Sequence, residues 1–265
     1  MLERTDDHDP YADISGLYDL EHDSFREDID FYLQLADVVG DPILELGCGT
    51  GRILAPLASA GWHVTGLDQS LPMLARARER IAAAAVSNLV ALKEGAMTDS
   101  EAAPGGPFGL VLFSLNGLFH LSGVRDQRLA LESARRALDP RGMLVIDVFN
   151  ATPDYLQGLD GRVAADGDWT LPDGSSVQRF SVRKAAVSDQ IIDTTLWYDV
   201  LDPHGNVRRH LSRFPLRYVT RSELELMLEL SGFVEWQIYG SYDLDPFTDE
   251  SERLIVMAEV TPSTS

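Results

Sequence analysis

The stretch Ile43-Leu44-Glu45-Leu46-Gly47-Cys48-Gly49-Thr50-Gly51 decides the fold of this chain. Its first four residues, three of them large aliphatics, read as a short buried strand, and Asp41-Pro42 just ahead ends the helical stripe before it. Glycines at alternate positions then let the backbone turn sharply and let a ligand approach without meeting a Cβ. Working outward, a helix over 52–60 closes at Gly61 and a strand follows over 62–67. The alternation continues with a helix over 71–85, a strand over 89–93 and, after a loop rich in Gly and Pro, a strand over 109–114. A helix over 127–138 ends at Asp139-Pro140, and a strand runs over 143–149. Strands alternating with helices imply right-handed crossovers and a parallel sheet covered on both faces, so the fold class is α/β, doubly wound and Rossmann-like.

Either side of this core the pattern changes. Residues 1–40 form an acidic arm followed by a helical stripe of Phe25, Ile29, Tyr32, Leu33, Leu35 and Ala36. Residues 151–219 turn to period-two segments, 177–187, 191–200 and 207–219, separated by turn residues such as Pro203-His204-Gly205-Asn206, which predicts an antiparallel β insertion. Residues 220–265 return to the core with a helix over 221–230, stopped by Ser231-Gly232, and strands over 233–239 and 254–260.

Composition narrows the function. With 45% hydrophobic and 24% charged residues, the 265-residue chain is globular in type, and no apolar run approaches the about 18 residues a membrane span needs. The start, Met1 to Asp9, is acidic and unlike a secretory signal. Cys48 is the single cysteine, so no internal disulfide forms, which suits a reducing cytoplasm and excludes cysteine-built zinc sites. A net charge of −20 repels phosphate backbones and anionic membranes. The runs holding Arg76, Arg78 and Arg80, and Arg208, Arg209, Arg213 and Arg217, are read as solvated faces. The expected partner is a small-molecule substrate, with no nucleic acid, membrane or metal, in a monomer or homodimer.

In an open α/β sheet ligands bind outside the carboxyl ends of the strands, where the glycine bend lies. The next strand ends at Asp68, seventeen residues beyond Gly51, and a carboxylate there can accept hydrogen bonds from both hydroxyls of a ribose. Two nucleoside cofactors suit this layout. A dinucleotide wants G-x-G-x-x-G, but Arg52 stands where its last glycine belongs. The pattern is instead Glu-x-Gly-x-Gly-x-Gly, and Glu45 would repel a pyrophosphate while tolerating S-adenosylmethionine, which has none.

Residues 45–51 resemble the first motif of class I S-adenosylmethionine-dependent methyltransferases, and Asp68 resembles their ribose-binding acid. The resemblance runs through Tyr18-Asp19, the strand Phe108–Phe113 with Asn116 and His120 after it, the strand Met143–Asn150, the helix Ser222–Gly232, and Tyr239-Gly240 with Pro246-Phe247. It implies a seven-stranded sheet whose last strand is antiparallel, with S-adenosyl-L-homocysteine as product. It implies that Gly47, Cys48, Gly49, Thr50 and Gly51 pass beneath the methionine part, that Asp68 binds ribose, and that Gln69, Met73, Ala96 and Met97 border adenine, with Phe113 and Ser114 at the next strand's tip. Ala96 departs from the acid that many members carry there. The insertion is similar to the substrate cover of small-molecule methyltransferases, including amino-sugar and glycine N-methyltransferases. DNA amino-methylating enzymes share an Asp/Asn-Pro-Pro-aromatic run where this chain reads Ser114-Leu115-Asn116-Gly117, and cytosine ring methylation needs a cysteine in that place. Both of those readings fail.

Methyl transfer to an N or O atom needs alignment, exclusion of water and, for a protonated nucleophile, a base. His120, with an unperturbed pKa of about 6.5, is a candidate base or a histidine bonded only locally. Tyr18 is a candidate at the sulfonium and Tyr11 at the substrate, or both anchor the arm. Glu45 meets the donor's amino group or only backbone; Asn116 is a candidate substrate residue that could equally touch the donor's amino-acid group or cap a turn. Asp147 and Asn150 end the fifth strand near the acceptor. Of the insertion aromatics Trp169, Trp197, Tyr198 and Tyr218, most are expected in the core, with Trp197 and Tyr218 as candidate substrate contacts. Arg52 is expected on the surface at a helix start. The alternatives are an NAD-dependent oxidoreductase and a non-catalytic cofactor-binding protein on the same fold.

Overall fold

A computed structural model describes residues 9–260; the expectations for residues 1–8 and 261–265 lie outside the described residues. Strand β1 (Ile43–Leu46), buried along its whole length, lies between β2 (Val64–Asp68) and β4 (Phe108–Phe113) and runs parallel to both. With β3 (Val90–Glu94), β5 (Leu138–Phe149), β10 (Glu235–Tyr239) and β11 (Arg253–Glu259), the order is β10-β11-β5-β4-β1-β2-β3. Only β11 opposes its neighbours, β10 and β5, as a last strand of reversed direction should. Because β1 stands where the winding reverses, a crevice opens at the tips of β1 and β4.

Successive residues of a strand face opposite sides. Ile43, Leu110, Leu112 and Val145 meet helices α2 (Glu27–Val39), α3 (Leu54–Ser59) and α4 (Leu71–Ala83). Leu44, Leu46, Val111 and Phe113 meet α5 (Val124–Ala137) and α7 (Arg221–Leu230). Glu45 therefore shares the α2–α4 face. Strand β5 starts at Leu138, ahead of the expected 143, because Asp139-Pro140 fall in a bulge where its register with β4 slips between Phe108 and Leu110. A bulge spares proline the ladder bond it cannot make.

After the short α6 (Pro153–Gly158), strands β6 (Asp160–Thr170), β7 (Ser176–Ala186), β8 (Ile191–Leu201) and β9 (Val207–Arg217) form a separate antiparallel sheet in that order. Its inner face carries Val177, Leu196 and Tyr198, which enclose Ile14 of the arm. The arm, ending in α1 (Tyr18–His22), is held from both sides. Ser212 Oγ donates to Pro10 O at 2.6 Å and His210 Nδ1 bonds Asp13 O at 2.9 Å. On the core side Thr50 Oγ1 donates to Asp19 at 2.5 Å, and Arg80 reaches Asp19 and Asp23 at 2.9 and 2.8 Å. Arg76, 3.4 Å from Asp19, joins them, so two arginines expected on a solvated face latch the arm. Among the described residues no helix is long and apolar enough to cross a membrane.

Candidate active site

The glycine bend is tied to β2 before any ligand is considered. Gly47, Gly49 and Gly51 hold φ of 76°, 52° and 74°, the left-handed region that glycine adopts without strain. Gly47 N and Cys48 N both donate to Leu67 O, at 2.8 and 3.1 Å. Asp68 faces the bend: its Oδ2 accepts Gly49 N and its Oδ1 accepts Ser70 N, each at 2.8 Å. Each oxygen keeps a lone pair for a ligand hydroxyl. Burial pushes the Asp68 carboxyl up, and Asp9 of the arm, which accepts from Ser70 Oγ at 2.6 Å, pushes the same way.

Met73 and Met97 flank the bend, since a Cβ at Gly49 would lie 3.5 Å from the Met73 methyl and one at Gly47 would collide with the Met97 methyl. Gln69 and Ala96 are exposed beside it. Cys48 turns its side chain into the core, where a Cβ at Gly66 would come within 2.7 Å of its Sγ, so only its backbone serves the bend.

Glu45, 2% exposed, accepts from Ser114 Oγ on Oε1 at 2.6 Å, while its buried Oε2 has no partner. Burial raises its pKa to about 8, against the pull of Ser114 and Arg52. Arg52 is not the surface residue expected. It is buried beneath α2, where Asp28, wholly inside, takes both its terminal nitrogens, one at 2.9 Å. An unpaired carboxylate oxygen, a bend without Cβ atoms and an acid at the β2 tip fit S-adenosylmethionine, whose ammonium and ribose would meet Glu45 and Asp68. That cofactor supplies a methyl group made electrophilic by a sulfonium.

The tip of β4 is shaped by β5. Leu115 and Asn116 both take left-handed backbone, φ 42° and 69°. Leu115 N donates to Asp147 Oδ2 at 3.2 Å, Asn116 N to Asp147 O at 2.8 Å, and Asn116 Oδ1 accepts Phe149 N at 2.7 Å. Asp147, fully buried, also accepts from Tyr32 at 3.1 Å, Tyr242 at 2.8 Å and Arg253 Nε at 2.9 Å, so it is a hub beneath the tip of β4. The held loop leads into a single 3-10 turn, Gly117–His120. There His120 Nε2 lies 3.2 Å from Tyr11 OH of the arm. Phe214 of β9 walls this pair, its ring centre 5.5 Å from that of Tyr11 and 5.4 Å from that of His120, and Tyr18 meets Tyr11 edge-on at 5.8 Å. Burial lowers the His120 pKa to about 4 and raises the hydroxyls of Tyr11 and Tyr18.

Four sequence candidates stand apart from this group. Phe113 is buried against α5, on the face away from Glu45. Asn150 spends its side-chain nitrogen on Ser251 O at 2.9 Å, clamping β5. Trp197 lies on the outer face of the small sheet, stacked on Phe180 at 5.5 Å and capped by Arg209 at 5.1 Å. Tyr218 is buried in the core with α5 and α7. Conversely, Phe214 and Asp9 were not singled out. Alternation along β9 groups Phe214 with His210 and Ser212, but not which face turns inward.

Residues 43–142 match the family model described as a methyltransferase domain. Sheet order, glycine bend and facing acid are those of class I S-adenosylmethionine-dependent methyltransferases, and the chain is an S-adenosylmethionine-dependent methyltransferase with that cofactor. Among its relatives is the dTDP-3-amino-3,6-dideoxy-alpha-D-glucopyranose N,N-dimethyltransferase of Streptomyces fradiae, 28% identical over 84% of this chain and 86% of that one. The cypemycin N-terminal methyltransferase of a Streptomyces species is 26% identical over 83% of each. The solved CcbJ methyltransferase of Streptomyces caelestis superposes with a TM-score of 0.74, 27% identical, over 95% of this chain and 99% of that one.

Proposed function

We propose that this methyltransferase acts on the amine nitrogen of a small-molecule acceptor, with amino sugars as the substrate class. The contact of Tyr11 with His120 at 3.2 Å carries the proposal, because it puts a neutral base under the arm, at the tip of β4. An amine reaches the site as an ammonium and must shed a proton before its lone pair attacks the methyl carbon. With a pKa of about 4, His120 is a weak base. It faces a gap of about 6 units for an alkylammonium of pKa about 10.4 and about 12 for a hydroxyl near the 15.7 of water. At about 1.36 kcal/mol per unit that difference favours nitrogen. The carboxylates of Asp9, Glu21 and Asp68, and a net charge of −20, also favour a cationic partner. The Streptomyces fradiae relative is by name an N,N-dimethyltransferase of an amino sugar, and the cypemycin relative an N-terminal methyltransferase.

In this proposal Asp68 holds the donor ribose and Glu45, oriented by Ser114, its ammonium. Gln69, Met73, Ala96 and Met97 border its adenine. Tyr11 aligns His120, Tyr18 packs edge-on against Tyr11 to face the sulfonium, and the small sheet with the arm excludes water. Transfer of labelled methyl to a panel of amino sugars and their hydroxyl counterparts tests it. Turnover of the amines is expected; turnover of hydroxyl compounds alone overturns the choice of nitrogen. His120→Ala should lower kcat about a hundredfold, the scale of general base catalysis, with the S-adenosylhomocysteine Kd unchanged. An unaltered kcat would leave His120 a structural role only.

A further inference from the structure

Thr194 of β8 is 5% exposed, and its Oγ1 is buried with no hydrogen-bond partner. Folded proteins leave few buried polar atoms unpaired, so each calls for a cause. Its cross-strand neighbours do not supply a partner. On β7 it pairs with Arg183, whose guanidinium turns toward Asp166 at 4.0 Å. On β9 it pairs with Phe214, the ring that walls Tyr11 and His120. Directly opposite residues hold their Cβ atoms about 4.5–5.5 Å apart, so Thr194 stands one side chain away from the transfer site.

Along β8, Ile192 packs into the main core and Leu196 packs with Ile14 of the arm. Thr194 between them lies at the seam of arm and core. Leu196, Phe214 and the diagonal Ser212 all touch the arm, so lifting the arm is what opens this part of the inner face.

The geometry points to Thr194 as a specificity residue that takes a hydroxyl group of the acceptor, borne on the same ring as the reacting amine. This rests on the amine-transfer proposal above. A threonine hydroxyl donates and accepts, so it pairs with a ring hydroxyl in either sense, and valine of the same shape does neither. An acceptor without that hydroxyl leaves Oγ1 unpaired in the closed complex and binds less well, the principle by which a polar site rejects a less polar analogue.

The test uses the full chain, Thr194→Val and Thr194→Ser, with two amino sugars that differ only in the hydroxyl next to the amine. Thr194→Val should raise the KM of the hydroxylated acceptor about tenfold while kcat stays within about twofold. Thr194→Ser should keep the original KM, and the deoxy acceptor should not distinguish Thr194→Val from the parent. The Tm of Thr194→Val without ligand should be equal or higher, since it loses an unpaired buried hydroxyl. Equal KM values for both acceptors in parent and Thr194→Val, or a Tm lowered by several degrees, overturn the inference and leave amine transfer standing. No turnover of any amine by the parent sinks amine transfer, and this inference with it.

Discussion

The proposed donor end is a backbone bend with two carboxylates beside it, and the proposed acceptor end is built of side chains. Gly47, Gly49, Gly51 and the amides that hold Asp68 all come from the run between β1 and the start of α4. Tyr11 comes from the arm, His120 from beyond β4, and Phe214 and Thr194 from the small sheet, so the other end is assembled across the whole chain. A site fixed by local turns keeps its shape as long as the central sheet stands. One built from distant side chains depends on each piece of packing beneath it, and Asp147 is the piece that carries most.

Asp147→Ala should therefore have the largest effect. It strands Arg253 inside the protein and frees Leu115 N and the hydroxyls of Tyr32 and Tyr242. Breaking a buried ion pair costs about 3–5 kcal/mol, to be read from urea unfolding. The molecules that stay folded should still bind S-adenosylhomocysteine with near-parent affinity, because nothing at the bend touches Asp147. A stability loss under about 1 kcal/mol would deny it the role of hub, and a donor site lost along with it would break the contrast between the two ends.

Asp68→Ala should do the reverse. Removing a charged hydrogen-bond partner should weaken S-adenosylhomocysteine binding by about 1.5–3 kcal/mol in calorimetry, roughly tenfold to a hundredfold, with the acceptor KM little changed at saturating donor. An equal Kd would remove the ribose assignment.

Glu45 sharpens the donor end through pH. With a pKa of about 8 its carboxyl keeps its proton at neutral pH, and an ammonium arriving at Oε2 favours the ionised form. Binding then releases a proton below about pH 8, so donor affinity should rise by up to tenfold per unit from about pH 6 and level off near pH 8, where the ligand's own amine titrates. Calorimetry in two buffers of different ionisation enthalpy counts the proton. Glu45→Gln should abolish the release; the same count in Glu45→Gln would place the titrating group elsewhere.

The same contrast decides what was legible. The strand-bend-strand unit with its acid could be read because residues 43–68 are contiguous and each step has a local cause, and α7 falls on the expected residues 221–230. Partners across the chain were hidden. Arg52 gives no sign that Asp28 waits above it in α2, and the arginines of α4 give none that Asp19 and Asp23 of the arm will meet them. Alternation along β8 and β9 showed that Trp197 and Phe214 belong to opposite faces of a sheet only once their register was known. Leu211, not Phe214, stands across from Trp197.

That register yields the smallest expected effect. Trp197 covers Phe180 on the face turned away from the arm, so Trp197→Ala should leave the KM of an amino-sugar acceptor within about twofold of the parent, at a cost in stability from the aromatic contact it loses, about 0.5–1.5 kcal/mol beyond its burial. Phe214→Ala, made beside it, removes the ring packed on both Tyr11 and His120 and should raise that KM clearly more. Steady-state kinetics on the pair would tell the faces apart without a structure. If Trp197→Ala raised KM more than Phe214→Ala, the acceptor would lie against the outer face, and Tyr11 and His120, enclosed on the inner one, would lose their place at the reacting nitrogen.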